Sequence, residues 1–169
     1  MTDVHPNICA LTPRHFDQVL AINNANAPAV GELTADGLEY LVEHSLYSLI
    51  VADVSGTDVQ AFCLTFAPGV PYTSPNYQWF SARYDNFVYL DRIAVADKYQ
   101  NNGYGTALYD AVTQYMTIDR TAPLLTCEVN LQPPNLGSLR FHQRLGFQEV
   151  GQQESKPGLI VSLLAKHLA

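Results

Sequence analysis

The run FVYLDRIAVA, residues 87–96, constrains this chain more than any other stretch. It is apolar on nearly both faces, and such a strand must be covered from both sides, as a central strand of a helix-flanked sheet is. KYQNNGYG follows, and then a helical pattern with Leu108, Ala111, Val112 and Tyr115 on one side. Strand, glycine loop and helix in that order make a recognisable anion-binding arrangement. N–H groups at a helix N-terminus lack intrahelical partners, and the helix dipole favours negative charge there. Gln100, Asn101, Asn102, Gly103, Tyr104 and Gly105 therefore form a candidate diphosphate loop in which glycine allows close backbone approach. No lysine follows the glycines, and no third glycine stands where a dinucleotide fingerprint needs one, so neither common nucleotide motif is matched.

The remaining chain reads as further strands and helices of one mixed α/β domain spanning residues 1–169. Apolar runs at 8–11, 46–54, 59–67, 123–131, 147–153 and 158–166 predict six more strands, with residues 55–58 as a hairpin turn. Thr12-Pro13 and Thr34 read as helix starts, and a short helix from about Asn135 ends at Gly146, with Phe147 behind the glycine cap. About four helices result. Residues 68–86, PGVPYTSPNYQWFSARYDN, read as a long irregular aromatic loop, suited to lining a pocket, covering a sheet edge or making a homodimer contact.

Composition narrows the partners. Nine Lys and Arg against sixteen Asp and Glu give a formal net charge of −7. That disfavours nucleic acid, whose binding needs cationic surface, and suits a cationic substrate or ordinary solubility. The N-terminal residues show no basic start followed by an apolar run, and no stretch approaches the roughly 18 apolar residues of a membrane span. A soluble, cytoplasmic protein is the simplest expectation. Cys9, Cys63 and Cys127 are widely spaced among apolar neighbours, which predicts reduced, buried thiols and neither a disulfide framework nor a metal cage.

The block FVYLDRIAVADKYQNNGYGTALYDAV resembles the signature of the GNAT superfamily of N-acetyltransferases, whose Q/R-x-x-G-x-G/A pattern is met at Gln100, Gly103 and Gly105. A second block, CEVNL with Asn135, Ser138 and the Gly146-Phe147 pair, resembles the superfamily's later motif. The resemblance implies a central mixed, mostly antiparallel sheet with a splayed parallel strand pair. It implies acetyl-CoA as cofactor, with its pantetheine arm on the backbone of Ile93, Ala94 and Val95 and its pyrophosphate on the loop from Gln100 to Thr106. Asn135 and Ser138 would face the arm from the other side, although Asn135 also reads as a helix N-cap after two prolines.

Transfer to a primary amine needs a base, because an alkyl amine has a pKa near 10.4, and the departing thiolate benefits from an acid. By the resemblance, a backbone N–H on the 93–95 strand would stabilise the oxyanion. Many family members carry tyrosine as the acid where this chain has His142, whose imidazole can also donate a proton; a surface histidine is the alternative. Asp91 shares strand parity with Ile93 and Val95 and is the candidate base, with Glu128 as competitor; ion pairs with Arg83, Arg92 or Arg140 are the structural alternative for either. Asn23, Asn24, Asn26 and Glu32, with Tyr77, Trp79 and Tyr84, are candidates for the acceptor wall. That wall suits a small polar or amino-acid-like amine, and a peptide N-terminus or lysine side chain fits equally. A CoA-binding module without catalysis is the alternative class.

Overall fold

The computed structural model describes residues 6–169. Its elements run β1 (Asn7–Ala10), α1 (Phe16–Ala25), α2 (Ala35–His44), β2 (Ser48–Ala52), β3 (Val59–Phe66), α3 (Pro75–Ser81), β4 (Val88–Val95), α4 (Tyr104–Asp119), β5 (Leu124–Gln132), α5 (Leu136–Arg144), β6 (Gln148–Lys156) and β7 (Leu159–His167). The strands form a seven-stranded sheet in the order β1-β2-β3-β4-β5-β7-β6. β4 and β5 are its parallel pair, and their ladder holds only two registered positions, Val88 with Leu125 and Tyr89 with Thr126. The expected mixed, mostly antiparallel sheet with one parting parallel pair is what the chain forms.

The residues group into two compact units, one made of the chain up to Thr65 with Arg92–Gln114, the other of Phe66–Asp91 with Tyr115–Ala169. In the first, β1, β2 and β3 pair antiparallel. Val19 and Ile22 of α1, Leu38 and Leu41 of α2, and Leu108 and Val112 of α4 are buried. Those positions fall at helical spacing, so each helix turns one apolar stripe inward. Thr34 caps α2, its hydroxyl accepting the Gly37 N–H at 3.1 Å. The hairpin turn is held by Asp53, whose carboxylate accepts the N–H groups of Thr57 and Asp58 at 2.7 and 2.8 Å. The Ser55 hydroxyl and these amides lower the Asp53 pKa to about 2.

The second unit has an aromatic core. Phe66, Tyr77, Phe80, Phe87 and Tyr89 are buried, with Tyr77 ring centroids 5.6 Å from Tyr89 and 6.1 Å from Phe87. β7 pairs antiparallel with both β5 and β6. Here the expectation of an irregular 68–86 loop is corrected, because residues 75–81 form α3, the fifth helix. Ser74 caps it and Pro75 opens it, the arrangement that a cap followed by proline at the first helical position favours. The density of prolines and aromatics masked that signal.

Helix α3 packs against β6 through a close approach. A Cβ at Gly151, beside a bulge in β6, would lie 2.5 Å from Cζ2 of Trp79, and the Arg83 guanidinium sits 3.9 Å from the centroid of the same ring. Asn76 also accepts a hydrogen bond from Gln153 at 2.7 Å. Gly151→Ala should therefore cost about 1–3 kcal/mol by overpacking. Chemical denaturation measures that loss, and the emission of Trp79, the sole tryptophan, should shift as the ring is displaced.

Candidate functional site

In the first unit, a short 3₁₀ turn over Asp97–Tyr99 carries the chain from β4 into the glycine loop. The Tyr99 hydroxyl bonds the Asp58 carboxylate, and Lys98 Nζ lies 3.7 Å from the same group. These contacts tie the loop to the β2–β3 turn and raise the Lys98 pKa, through Tyr99 first and then Asp58. Asn102 Nδ2 donates to the Tyr99 carbonyl at 3.1 Å and Gln100 Nε2 to Asp97 at 3.1 Å. Asn101 and Gly103 take left-handed backbone conformations, φ 63° and 79°. Nothing lies within 4 Å of where a Gly103 Cβ would stand, so the glycine serves the backbone and leaves open space beside it.

The Ala107 N–H bonds the Gly103 carbonyl at 3.0 Å at the start of α4. The amides of Tyr104, Gly105 and Thr106 precede it and have no intrahelical acceptor. With the α4 dipole behind them, these neutral donors suit a diphosphate in chemistry and number, although the protein is acidic.

Also in this unit, Arg92 is 9% exposed and donates to Asn23 Oδ1 at 3.0 Å and the Gly31 carbonyl at 3.1 Å. Asn26 Nδ2 reaches the carbonyls of Ile22 at 2.8 Å and Val95 at 3.4 Å. Asn24 holds Leu33 from both its amide ends, at 3.0 and 2.9 Å. The asparagines proposed as an acceptor wall thus pin the α1–α2 connection to α1 and β4. Glu32 is exposed there.

The second unit assembles a cluster at the point where the β4–β5 ladder ends. Tyr89 and Thr126 share a register, so Asp91 and Glu128, two residues further along, share their face of the sheet. Tyr72 donates to Asp91 Oδ1 at 2.6 Å, and Tyr89 donates to Glu128 Oε2 at 2.7 Å. Tyr89 is fully buried; burial first, then the charges of Glu128 and Asp91, push its pKa well up, so its hydroxyl keeps its proton. Both carboxylates are legible as candidates in the sequence, and neither tyrosine partner is. Strand parity with Asp91 is the signal that points to Tyr89; Tyr72 comes from the segment before α3 and has no such local signal.

Tyr77 is buried, its hydroxyl donating to the Ala67 carbonyl at 2.7 Å, and Trp79 packs on β6. Tyr84 is half-buried with its ring 6.3 Å from Phe80. Of the aromatic residues in this segment, Tyr72 is the one bonded to the carboxylate cluster.

Helix α5 brings Asn135, Ser138 and His142 together. Asn135 is its N-cap, with Oδ1 accepting the Ser138 N–H at 3.1 Å. His142 is 4% exposed, so the surface alternative is excluded, and its ring lies edge-on to Phe141 and Phe147 at 5.2 and 5.4 Å. Its Nδ1 is 2.8 Å from the Ser138 carbonyl, an acceptor only, so the neutral ring carries its proton on Nδ1. Nε2 then bears the lone pair. All three cysteines are free thiols; Cys63 and Cys127 are buried as expected, Cys9 is only half-buried on the edge strand β1, and burial pushes Cys63 up to about 12. Among the described residues no His, Cys, Asp or Glu cluster could hold a metal ion, and no helix is long and apolar enough to cross a membrane.

The glycine loop at the N-terminus of α4 follows β4, the middle strand of the sheet and a member of its parallel pair. The profile of the acetyltransferase (GNAT) family matches residues 37–147. The chain belongs to that family. No curated protein matches it in sequence. Among solved structures, Ard1 from Thermoplasma volcanium superposes with a TM-score of 0.76 at 14% identity, covering 98% of this chain and 99% of that one. The ribosomal-protein-S18-alanine N-acetyltransferase from Escherichia coli gives 0.71 at 17% identity, over 96% and 94%. Arabidopsis thaliana NAA60, solved in complex with acetyl-CoA, gives 0.74 at 16% identity, over 96% and 100%.

Burial lowers the His142 pKa below its ordinary value of 6.5. The unfolded chain therefore takes up a proton before the folded one does as pH falls. The stability this ring contributes is complete above pH 6.5 and is lost as pH drops through the folded pKa. Denaturation midpoints of the natural chain should fall more steeply from pH 7 to pH 5 than those of His142→Phe.

Proposed function

We propose that this protein transfers an acetyl group from acetyl-CoA to the primary amine of a small polar molecule. The observation that carries this reading is the pair Asp91 and Glu128, each bonded by a tyrosine hydroxyl, on one face at the end of the β4–β5 ladder. Family membership and the amides at the start of α4 support acetyl-CoA as the donor. Acetyl-CoA supplies an acetyl group on a thioester carbon, from which the thiolate leaves with the carbon–sulfur electron pair.

The residues then divide the work. Amides from Gln100 to Thr106 hold the diphosphate, and backbone groups of Ile93, Ala94 and Val95 pair with the pantetheine arm and donate to the carbonyl oxygen. Asn135 and Ser138 contribute from α5; Asn135 Oδ1 is engaged in the cap, which leaves its amide nitrogen to donate. Glu128 attracts the cationic amine, and Asp91 accepts the proton that the ammonium must lose before nitrogen can attack. His142 is the candidate acid for the thiolate. With its Nδ1 proton bonded to Ser138, it can act only through a second proton on Nε2, which its burial opposes, and water is the alternative donor.

A second reading, a polypeptide N-terminus as acceptor, draws on the names of the fold neighbours, which include the ribosomal-protein-alanine enzyme and a NatC complex bound to Gag peptide. The test is thiol release from acetyl-CoA against a panel of amines, amino acids and peptides, with acetyl-CoA binding followed by calorimetry. Asp91→Asn should lower kcat about 100-fold or more while leaving acetyl-CoA affinity unchanged. Turnover with peptides alone would transfer the conclusion to the second reading. Binding without turnover on any acceptor would favour a catalytically silent CoA-binding module, and absence of binding would sink the proposal.

A further inference from the structure

The segment between β3 and α3 is built as a brace. Tyr77 of α3 donates from its hydroxyl to the Ala67 carbonyl at 2.7 Å and accepts the Val70 N–H at 3.2 Å, clamping both arms of the turn at residues 67–70. Tyr72 springs from that turn, its N–H on the Val70 carbonyl at 2.8 Å. Its ring packs between Phe66 and Tyr77, with centroids 4.8 and 5.7 Å away. Both the backbone and the ring of Tyr72 are therefore held before its hydroxyl reaches Asp91. The brace continues outward, since α3 is anchored on β6 by Trp79 over Gly151 and by the Asn76–Gln153 bond.

We propose that Tyr72 is a positioning residue, which uses its 2.6 Å hydroxyl bond to fix the Asp91 carboxylate in the orientation that receives the acceptor's proton. The proposal rests on the acetyl-transfer reading above. Tyr72 bonds Asp91 directly, and Glu128, Asp91 and Tyr72 all act electrostatically on Tyr89. A carboxylate that must receive a proton along one direction gains from a donor that sets its plane. A short hydroxyl–carboxylate bond from a pre-ordered tyrosine does this at little entropic cost.

Two measurements decide the matter. In the first, Tyr72→Phe keeps the packed ring and removes only the donor. It should lower kcat about tenfold, with the KM for acetyl-CoA unchanged. In the Asp91→Asn background the same change should cost nothing further, because its effect passes through Asp91. Unchanged kcat in the single variant, or an additive loss in the double one, would overturn the positioning role. The second measurement needs no turnover: proton NMR of protein labelled at tyrosine Cζ should show an exchange-protected hydroxyl that disappears in Tyr72→Phe and loses protection in Asp91→Ala. A natural chain with turnover but no such signal defeats the positioning role alone. A chain with the signal that acetylates no amine defeats the acetyl-transfer reading, and the role with it.

Discussion

Backbone N–H and C=O groups in a sheet need partners, and a central strand has nowhere to turn for water. β4 meets that demand on the β5 side for two residues and then stops, with Tyr89 opposite Thr126 as the last registered pair. The tyrosine–carboxylate cluster of the second unit sits at this break. Two residues beyond that pair, Asp91 and Glu128 share a face of the sheet, and each takes a tyrosine hydroxyl, Asp91 that of Tyr72 and Glu128 that of Tyr89.

Charge is handled differently at the two ends of the proposed reaction. The diphosphate end relies on fixed dipoles: three amides ahead of the first α4 bond, a left-handed glycine and a long helix behind them. Such a site needs no lysine, so an acidic chain can carry it, and the nearby Lys98 is committed to Asp58 and Tyr99. The amine end relies on full charges, and the carboxylates that would attract an ammonium are also the groups able to take its proton. Tyr89, kept protonated by burial and by those charges, holds its proton toward Glu128.

The asparagines between α1 and α2 show how a polar run with the look of a binding wall can be structural. Asn23 is fully buried, accepts from Arg92 and donates to the Gly31 carbonyl; Asn26 reaches Val95. Arg92, a charge in an otherwise apolar strand, is thereby given partners that make its burial affordable. Opposite parity sends Asp91 to different company from its neighbour. One strand thus anchors a connection with one residue and serves the candidate site with the next.

Much of this was legible from residues alone, because the relevant forces are local. Alternating and continuous apolar runs specify all seven strands, and the cap residues and glycines mark four of the five helices. The left-handed turn at Gly103 and the helix that follows the loop are likewise readable from glycine spacing. Asn135 as a cap was equally plain, since capping joins residues three apart. What only the tertiary structure decided are pairings across long separations: Tyr72 with Asp91, Tyr89 with Glu128, Trp79 with Gly151. His142 belongs with these, because position on a helix does not tell a surface ring from one enclosed by Phe141 and Phe147. Periodicity reports which face of an element is buried; which side chain waits on the other side depends on contacts that sequence spacing does not encode.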